Sequence, residues 1–600
     1  MTFNKVTVVL VLLVSFLLTG CGGSTVTHSV TASIAPESAD ILTGGSVQYT
    51  ATFSPAATAV NWYVNGIANG NASVGTIDAS GNYTAPMTQP ATPFTIAASS
   101  SSDPEIAAVA TVTVVGPGNV AATANSQVAL YTIAPPVAAG VTIQFGLDTT
   151  YGLTTSTQPA AGGAAPLGTF VAGMKANTLY HMRASLLMPD GSTLNDLDQT
   201  FSTGALPANL AQITATTTSG MTPQPGLEML DLVLGTSGPP VVVTDLSGNV
   251  VWTYSPGGST ADLVQPVKPL PNGHFLVVTA PLETDVPAQL PAGTIDVTRE
   301  IDLSGATIRE ISIDTLNDRL AAAGFSYQAE YMHHDVAILP NGHWIMIVAS
   351  VQPETEDGTT SNVTGDALID LDSNLQPVWV WNTFDHMDVN RHPASITDWT
   401  HANAILYSPG DGNLVLSMRN QSWIIKIDYN NGAGAGDIIW HLGYQGDFTL
   451  VGGTDPTDWF SGQHAPAFTT PATAGTFGMT VFDDGDFRTY PTGTTCADTG
   501  APTCPYTTAQ VLTINESAMT ATLDFLDITP AYTFFGGNEE VLGNGNVEFD
   551  LCNTLATASQ ASVYEVTPTS PAQTVWQLNV VGSDAYRAFR IPSLYPGVQW

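Results

Sequence analysis

The chain is 600 residues long, enough for about three to five domains at roughly 100 to 200 residues each. Hydrophobic residues at 44% exclude a disordered chain, while 55 Gly, 40 Pro and only 11% charged residues describe a turn-rich, β-rich, extracytoplasmic composition. Thirteen Lys plus Arg against 51 Asp plus Glu leave a net charge of −38, which repels phosphate backbones and anionic lipid surfaces and excludes nucleic-acid binding.

Residues 1–20 read as a signal peptide: Lys5 precedes an apolar run, Val6 to Leu18, too short to span a bilayer as a helix. The run ends Leu17-Leu18-Thr19-Gly20-Cys21, which resembles the lipobox of bacterial lipoproteins. That resemblance implies acylation of Cys21 and anchoring of an exported chain in the cell envelope by several lipid chains together. Gly22 and Gly23 lack the aspartate of some inner-membrane lipoproteins, so the expected location is the outer membrane or periplasm. Residues 21–30 read as a Gly/Ser/Thr tether.

Residues 31–116 alternate in strand fashion, with Val60-Asn61-Trp62-Tyr63-Val64 placing Trp62 on an inward face and Gly75 to Pro86 reading strand, turn, strand. The segment resembles bacterial immunoglobulin-like surface modules. Gly116-Pro117-Gly118 opens a second unit, residues 117–206, in which Ala176-Asn177-Thr178-Leu179-Tyr180 precedes a strand; it is similar to a fibronectin type III sandwich with Tyr180 as its corner tyrosine. Neither unit carries converging titratable groups, so both read as spacers.

From about Pro207 to Trp600 the sequence repeats itself. A strand ending in a Gly turn recurs at Val267–His274, His334–Gly342, His401–Asn413 and Glu539–Gly545, with Asp-centred hairpins ending in Trp between them, such as Asp245–Trp252 and Ile438-Ile439-Trp440. Each unit therefore reads as four short strands. His401 follows His334 by 67 residues and His464 follows His401 by 63, so a unit is about 65 residues and residues 207–600 hold about six. The expected fold is all-β: a six-bladed β-propeller, whose radial closure removes exposed sheet edges, preceded by the two β-sandwich modules. Tyr586-Arg587-Ala588-Phe589-Arg590-Ile591 is expected to complete the unit begun near Gly226 and latch the ring. A β-solenoid would need shorter and more uniform repeats.

Cys496 and Cys504 close a short Gly/Pro loop and are expected to form a disulfide in an oxidising compartment, leaving Cys552 as a small buried side chain. The four lysines, Lys5, Lys175, Lys268 and Lys426, none of which follows a glycine, exclude a Gly-Lys phosphate loop. The chain also contains neither H-E-x-x-H nor G-x-S-x-G. His334, His401 and His464 occupy the same place in three successive units, at the start of what would be the innermost strand, so a propeller would bring them to one channel mouth. Asn403 stands two residues beyond His401, on the same side of a strand, and Arg419 lies on the next strand. Three imidazoles could hold zinc, but a guanidinium beside them would repel a dication. His, Asn and Arg donors together instead suit a tetrahedral oxyanion.

Asp398-Trp399-Thr400-His401-Ala402-Asn403, then Arg419-Asn420-Gln421, then Gln463-His464-Ala465-Pro466 resemble the bacterial arylsulfate sulfotransferase family, periplasmic or lipid-anchored propellers that move sulfuryl groups between phenols without a nucleotide donor. The resemblance covers essentially residues 207–600. It implies that His464 is transiently sulfated, that His334, His401, Asn403 and Arg419 hold the sulfuryl oxygens and assist proton movement, and that the Cys496–Cys504 pair is similar to a disulfide near the family's active site. The His333-His334 doublet offers two residues for one role, and the N-terminal modules depart from the family pattern.

Sulfuryl transfer, like phosphoryl transfer, passes through a loose in-line transition state, so positioning and charge stabilisation carry the catalysis, and a neutral imidazole attacking sulfur gives ping-pong kinetics. No metal and no cofactor are expected. The expected partners are an aryl sulfate donor and a phenolic acceptor, with Trp399, Phe460 and Tyr331 as candidates to bind the aryl ring beside Phe325. A homo-oligomer is left open, because the sequence does not fix the oligomeric state. A non-catalytic propeller that binds extracellular ligands or proteins is the alternative, and a three-histidine metal hydrolase is a third.

Overall fold

A computed structural model describes residues 31–54, 56–57, 59–234, 238–257, 262–281, 296–356, 358–395, 397–469, 475–554 and 560–600. The signal peptide, the tether and the lipidation expected at Cys21 lie outside the described residues. Strand is their dominant regular structure, with α-helices only at Ile313–Ala323 and Thr383–His386, and none of their helices is long and apolar enough to cross a membrane. The chain divides into two compact units, Met1–Gly116 and Pro117–Trp600.

In the first unit a five-stranded sheet, a four-stranded sheet and a two-stranded ribbon enclose a core centred on Trp62, Tyr49, Tyr83, Ile96 and Val112. The alternation of Val60–Val64 is what buries Trp62 and Val64 on one face.

The second unit begins with a three-stranded and a six-stranded sheet, where the Tyr180 hydroxyl accepts a hydrogen bond at 3.0 Å from the Lys175 amide five residues upstream. Six further sheets of four or five strands follow among the described residues. The strands at one edge of these sheets are Asp584–Ile591, Asp262–Pro269, Met332–Ile338, Ala402–Ser408, His464–Phe468 and Glu539–Val541. Each of the first five packs against the next in that order, and Val547–Leu551, beside Glu539–Val541, packs back against Asp584–Ile591.

Both ends of this region are tied in. The last strand, Asp584–Ile591, is hydrogen-bonded to Leu227–Val233, so it completes the sheet begun near Gly226. Gln212–Thr217 pairs with Thr574–Val581 and thereby joins the opposite edge of the last sheet. The tryptophans that end the hairpins fasten neighbouring sheets: Trp252 Nε1 donates to Leu303 O, Trp381 Nε1 to Gly436 O, Trp440 Nε1 to Glu516 Oε1 and Trp576 Nε1 to Leu246 O, at 2.8 to 2.9 Å. A large apolar ring with one polar edge suits such a seam, because the buried indole N–H finds an acceptor there.

Five of the six edge strands share an irregularity. Register slips occur between Val264 and Val267, Met332 and Val336, Ala402 and Ala404, His464 and Ala467, and opposite Asp231/Leu232, where Tyr586 is skipped. A bulge frees backbone amides from the ladder and re-aims side chains. Buried carboxylates take up amides beside these slips: Asp231 accepts from Val267 N at 3.1 Å, Asp296 from Met332 N at 3.2 Å and Asp366 from Ala402 N at 2.7 Å.

Candidate functional site

Within or next to these slips, Gln265, His334, His401, His464 and Tyr586, one from each of five successive edge strands or its first turn, line a cavity of about 300 Å³. Arg419, Phe534, Phe535, Val233 and Leu234 complete its lining. The rings are close: His334 lies 4.9 Å from His401 and 5.7 Å from Tyr586 between centroids, and Tyr586 lies 6.1 Å from His464. His334 and His401 hold left-handed backbone, φ 56° and 48°, a conformation that costs about 1–3 kcal/mol at a non-glycine residue and is found at sites where the surrounding structure enforces it.

Each imidazole has a fixed orientation. His464 Nδ1 lies 2.8 Å from Asp484 Oδ2, and its Nε2 accepts from Gly536 N at 3.3 Å, so the proton sits on Nδ1 and the lone pair on Nε2. Gly536 has to be glycine: a Cβ there would stand 2.7 Å from Cys552 Sγ. His401 Nδ1 lies 2.7 Å from Asp398 Oδ2, which Asn420 Nδ2 also holds at 3.0 Å. Of the doublet, His334 lines the cavity and His333 stands behind it, with Nδ1 2.7 Å from His334 Nδ1 and Nε2 3.1 Å from Asp366 Oδ1. The two Nδ1 atoms share a hydrogen bond, so one ring of the doublet donates to the other.

Burial, followed by the charges of Arg419, His334, His401 and Arg587, holds the His464 pKa well below its ordinary value, so the ring is neutral. Burial, reinforced by Asp486 and Asp483, pushes Asp484 well above the usual carboxylate range and makes it a good proton acceptor. Arg419 donates from Nη2 to Asp486 Oδ2 at 2.5 Å and to Phe534 O at 2.9 Å, and from Nη1 to Asn420 Oδ1 at 2.8 Å, which locks the guanidinium at the cavity wall.

Asn403 is fully buried and does not line the cavity. Its Nδ2 donates to Gln463 O at 2.6 Å and its backbone carbonyl accepts from Arg587 Nη2 at 2.5 Å, so it braces the backbone before His464. Trp399 is buried against Phe384, with Nε1 donating to Arg391 O, and Tyr331 rests 5.4 Å from His333; neither faces the cavity. Phe460 lines a separate neighbouring cavity, and Phe325 packs into an apolar core. The aromatic wall of the cavity is instead Phe534, Phe535 and Tyr586. Cys496 and Cys504 are disulfide-bonded with Cα atoms 5.7 Å apart, and Cys552 is a buried free thiol packed with Phe535 and Tyr586. No group of three or more His, Cys, Asp or Glu side chains placed to hold a metal ion occurs among the described residues.

Sequence reasoning missed Gln265 and Tyr586. Their signal was position: both fall where the histidines fall in their own units, but neither residue type advertises chemistry.

The model of the family described as Arylsulfotransferase (ASST) matches residues 218–587. This chain belongs to that family. The matched segment contains every residue that lines the histidine cavity, and it supports aryl sulfotransferase activity as the activity class. A search of curated proteins finds no match. Among solved structures, a purple acid phosphatase from yellow lupin (Lupinus luteus) seeds is 11% identical over 32% of this chain, with a TM-score of 0.16, and the alignment spans 43% of that structure's length. A Synechocystis apocarotenoid oxygenase is 10% identical over 78% of this chain and 93% of its own, with a TM-score of 0.27. A Ca2+-stabilized adhesin of an Antarctic bacterium is 15% identical over 56% of this chain and 97% of its own, with a TM-score of 0.12. Likenesses of this order carry no argument about this chain.

Proposed function

We propose that this chain is a nucleotide-independent aryl-sulfate sulfotransferase that works through a sulfohistidine at His464, on a six-bladed β-propeller. Consecutive packing of the six edge strands, and the tying-in of both ends, support the propeller reading. The observation that carries the mechanism is the buried, neutral His464, with its Nε2 lone pair held at a cavity shared with His334, His401 and Arg419.

In the first half-reaction His464 Nε2 attacks sulfur as the S–O bond to the aryl group breaks. The phenolate leaves with the Nε2 proton of His401 in its imidazolium form, which Asp398 stabilises through Nδ1, and the Nδ1 proton of the sulfated ring shifts toward Asp484. Arg419 and the flanking imidazoles stabilise charge on the equatorial oxygens. In the second half a phenol enters, gives its proton to the same histidine, and attacks sulfur as the N–S bond breaks. A loose transition state needs positioned donors rather than a nucleotide, and the absence of any Gly-Lys phosphate loop in the sequence accords with this.

Cys21 is proposed to anchor the exported chain at the outer membrane or periplasmic face, with residues 31–116 and 117–206 as immunoglobulin-like and fibronectin-like spacers. The return hydrogen bond to Tyr180 supports the second assignment.

Incubation with an aryl sulfate but no acceptor, followed by intact-mass measurement and peptide mapping, should find one sulfuryl group on His464. Adding a phenol should discharge it, with or without a chelator. A sulfuryl group elsewhere, or transfer that needs added metal, would sink the mechanism.

A further inference from the structure

Beside the histidine site lies a second cavity of about 300 Å³, whose lining includes Arg391, Ser422, Tyr444, Trp459, Phe460 and Phe487. The two cavities are close neighbours: the Phe487 ring lies 5.5 Å from the Arg419 guanidinium, and Ser461 Oγ, three residues before His464, accepts from Phe487 N at 3.0 Å.

Arg391, like Arg183 and Arg319, stands apart from the other arginines of this acidic chain. Arg299, Arg309, Arg419, Arg488, Arg587 and Arg590 all pair with carboxylates. Arg391 pairs with none among the described residues. Its Nη1 donates to Gln421 O at 2.9 Å and Gln421 Oε1 at 2.6 Å, and its guanidinium stacks 3.3 Å from the Trp423 ring centroid. These contacts fix the plane of the fork, while Nε and Nη2 have no acceptor among the described residues. A pre-oriented, half-buried cation with open donors and aromatic walls matches an aromatic ring bearing a carboxylate or sulfonate. Burial alone shifts this guanidinium, drawing its pKa down to about 10, as expected where no anion is near.

We propose that the Arg391 cavity is a subsite for a second anionic substituent on the aromatic substrate, outside the sulfuryl group that is transferred. Its place in catalysis rests on the transfer reading above; its affinity for aromatic anions does not. The substituent could belong to the donor or to the acceptor, and the two are separable.

Calorimetry on the full chain with 4-hydroxybenzoate and with the neutral 4-methylphenol needs no turnover. The carboxylate should bind about tenfold tighter, as for a charge-assisted hydrogen-bonded pair. Arg391→Met should erase that preference, Arg391→Lys should keep part of it, and Thr489→Asp, an exposed change on the cavity rim, should lower it without disturbing the core. Equal affinity of the native chain for both probes, or a preference that survives Arg391→Met and Thr489→Asp, would overturn the proposal. Comparing kcat/KM for 4-hydroxybenzoate against phenol, then for 4-carboxyphenyl sulfate against phenyl sulfate, assigns the subsite to acceptor or donor. A chain that binds the anion selectively but transfers nothing refutes the transferase reading and leaves this one standing.

Discussion

His464 Nδ1 and Asp484 Oδ2 stand 2.8 Å apart with both side chains buried, and this contact, with the Gly536 amide on Nε2, decides which ring nitrogen is nucleophilic. Asp484→Asn would present an amide N–H toward Nδ1 and favour the tautomer with its proton on Nε2, where it blocks attack. Transfer should fall by up to about 10⁴, the loss that a wrong imidazole tautomer causes in a catalytic triad. His464→Ala should bring it to background. Initial rates at saturating donor check this, with circular dichroism to confirm the fold; native-like turnover in Asp484→Asn would remove the aspartate from the mechanism.

Arg419 makes three hydrogen bonds that hold its guanidinium in one plane, to Asp486, Phe534 O and Asn420. Lysine keeps the charge but cannot span these acceptors, so Arg419→Lys should behave much like Arg419→Ala. Each should lower kcat by about 10²–10³ with a smaller change in KM, because the lost interaction is with charge developing in the transition state. A loss confined to KM would make Arg419 a ground-state binding residue.

The histidines were legible because repetition in register marked them and imidazole has few packing uses in a β-protein. Asp398 lay within sight, three residues before His401. Asp366 and Asp484 did not, because each reaches its histidine from a different strand and pairing partners are set by sheet register. Asn403 illustrates the opposite error. Period two placed it on the same side as His401, but the slip between Ala402 and Ala404 breaks that period and turns it into the scaffold. Trp399 and Tyr331 were read as ring-binding from closeness in sequence to the motifs, whereas the apolar wall comes from Phe534 and Phe535, about seventy residues past His464. The strand Gln212–Thr217 carried no repeat signature, so its pairing with the last sheet was invisible.

Asp296 joins two sheets through Met332 N, and burial pushes its pKa up to about 8 against the Met332 amide and His333, which pull it down. Its folded-state pKa therefore exceeds the unfolded value near 4, so the folded chain binds the extra proton between those limits. The stability it contributes is fully present below about pH 4 and is lost as pH rises toward 8, by at most about 1.4 kcal/mol per pH unit. Asp296→Asn carries no titrating proton. Thermal unfolding between pH 5 and 8 should show the variant gaining on the native chain as pH rises; parallel curves would mean that Asp296 ionises normally.

The C-terminal segment has two separable jobs. Strand Asp584–Ile591 supplies the only hydrogen-bonded partner that Leu227–Val233 has on that side, and it carries Tyr586 and Arg587. Removing residues 584–600 strips backbone amides and an apolar face from every residue of that partner, so the chain should fail to fold as a soluble species. Residues 592–600 act differently. Tyr595 exchanges hydrogen bonds with Phe170 O and Ala172 N, and Trp600 packs edge-on against Phe145 and so near Gly173 that a Cβ there would meet its ring at 2.4 Å. These contacts fasten residues 117–206 to the repeats beside the Lys175–Asp245, Asn125–Thr253 and Gln127–Val250 links. Deleting 592–600 should leave the repeat sheets folded while limited proteolysis accelerates near Pro207–Leu210, in the connection between the two parts. Equal cleavage rates in the truncated and full chains would show that the other links suffice.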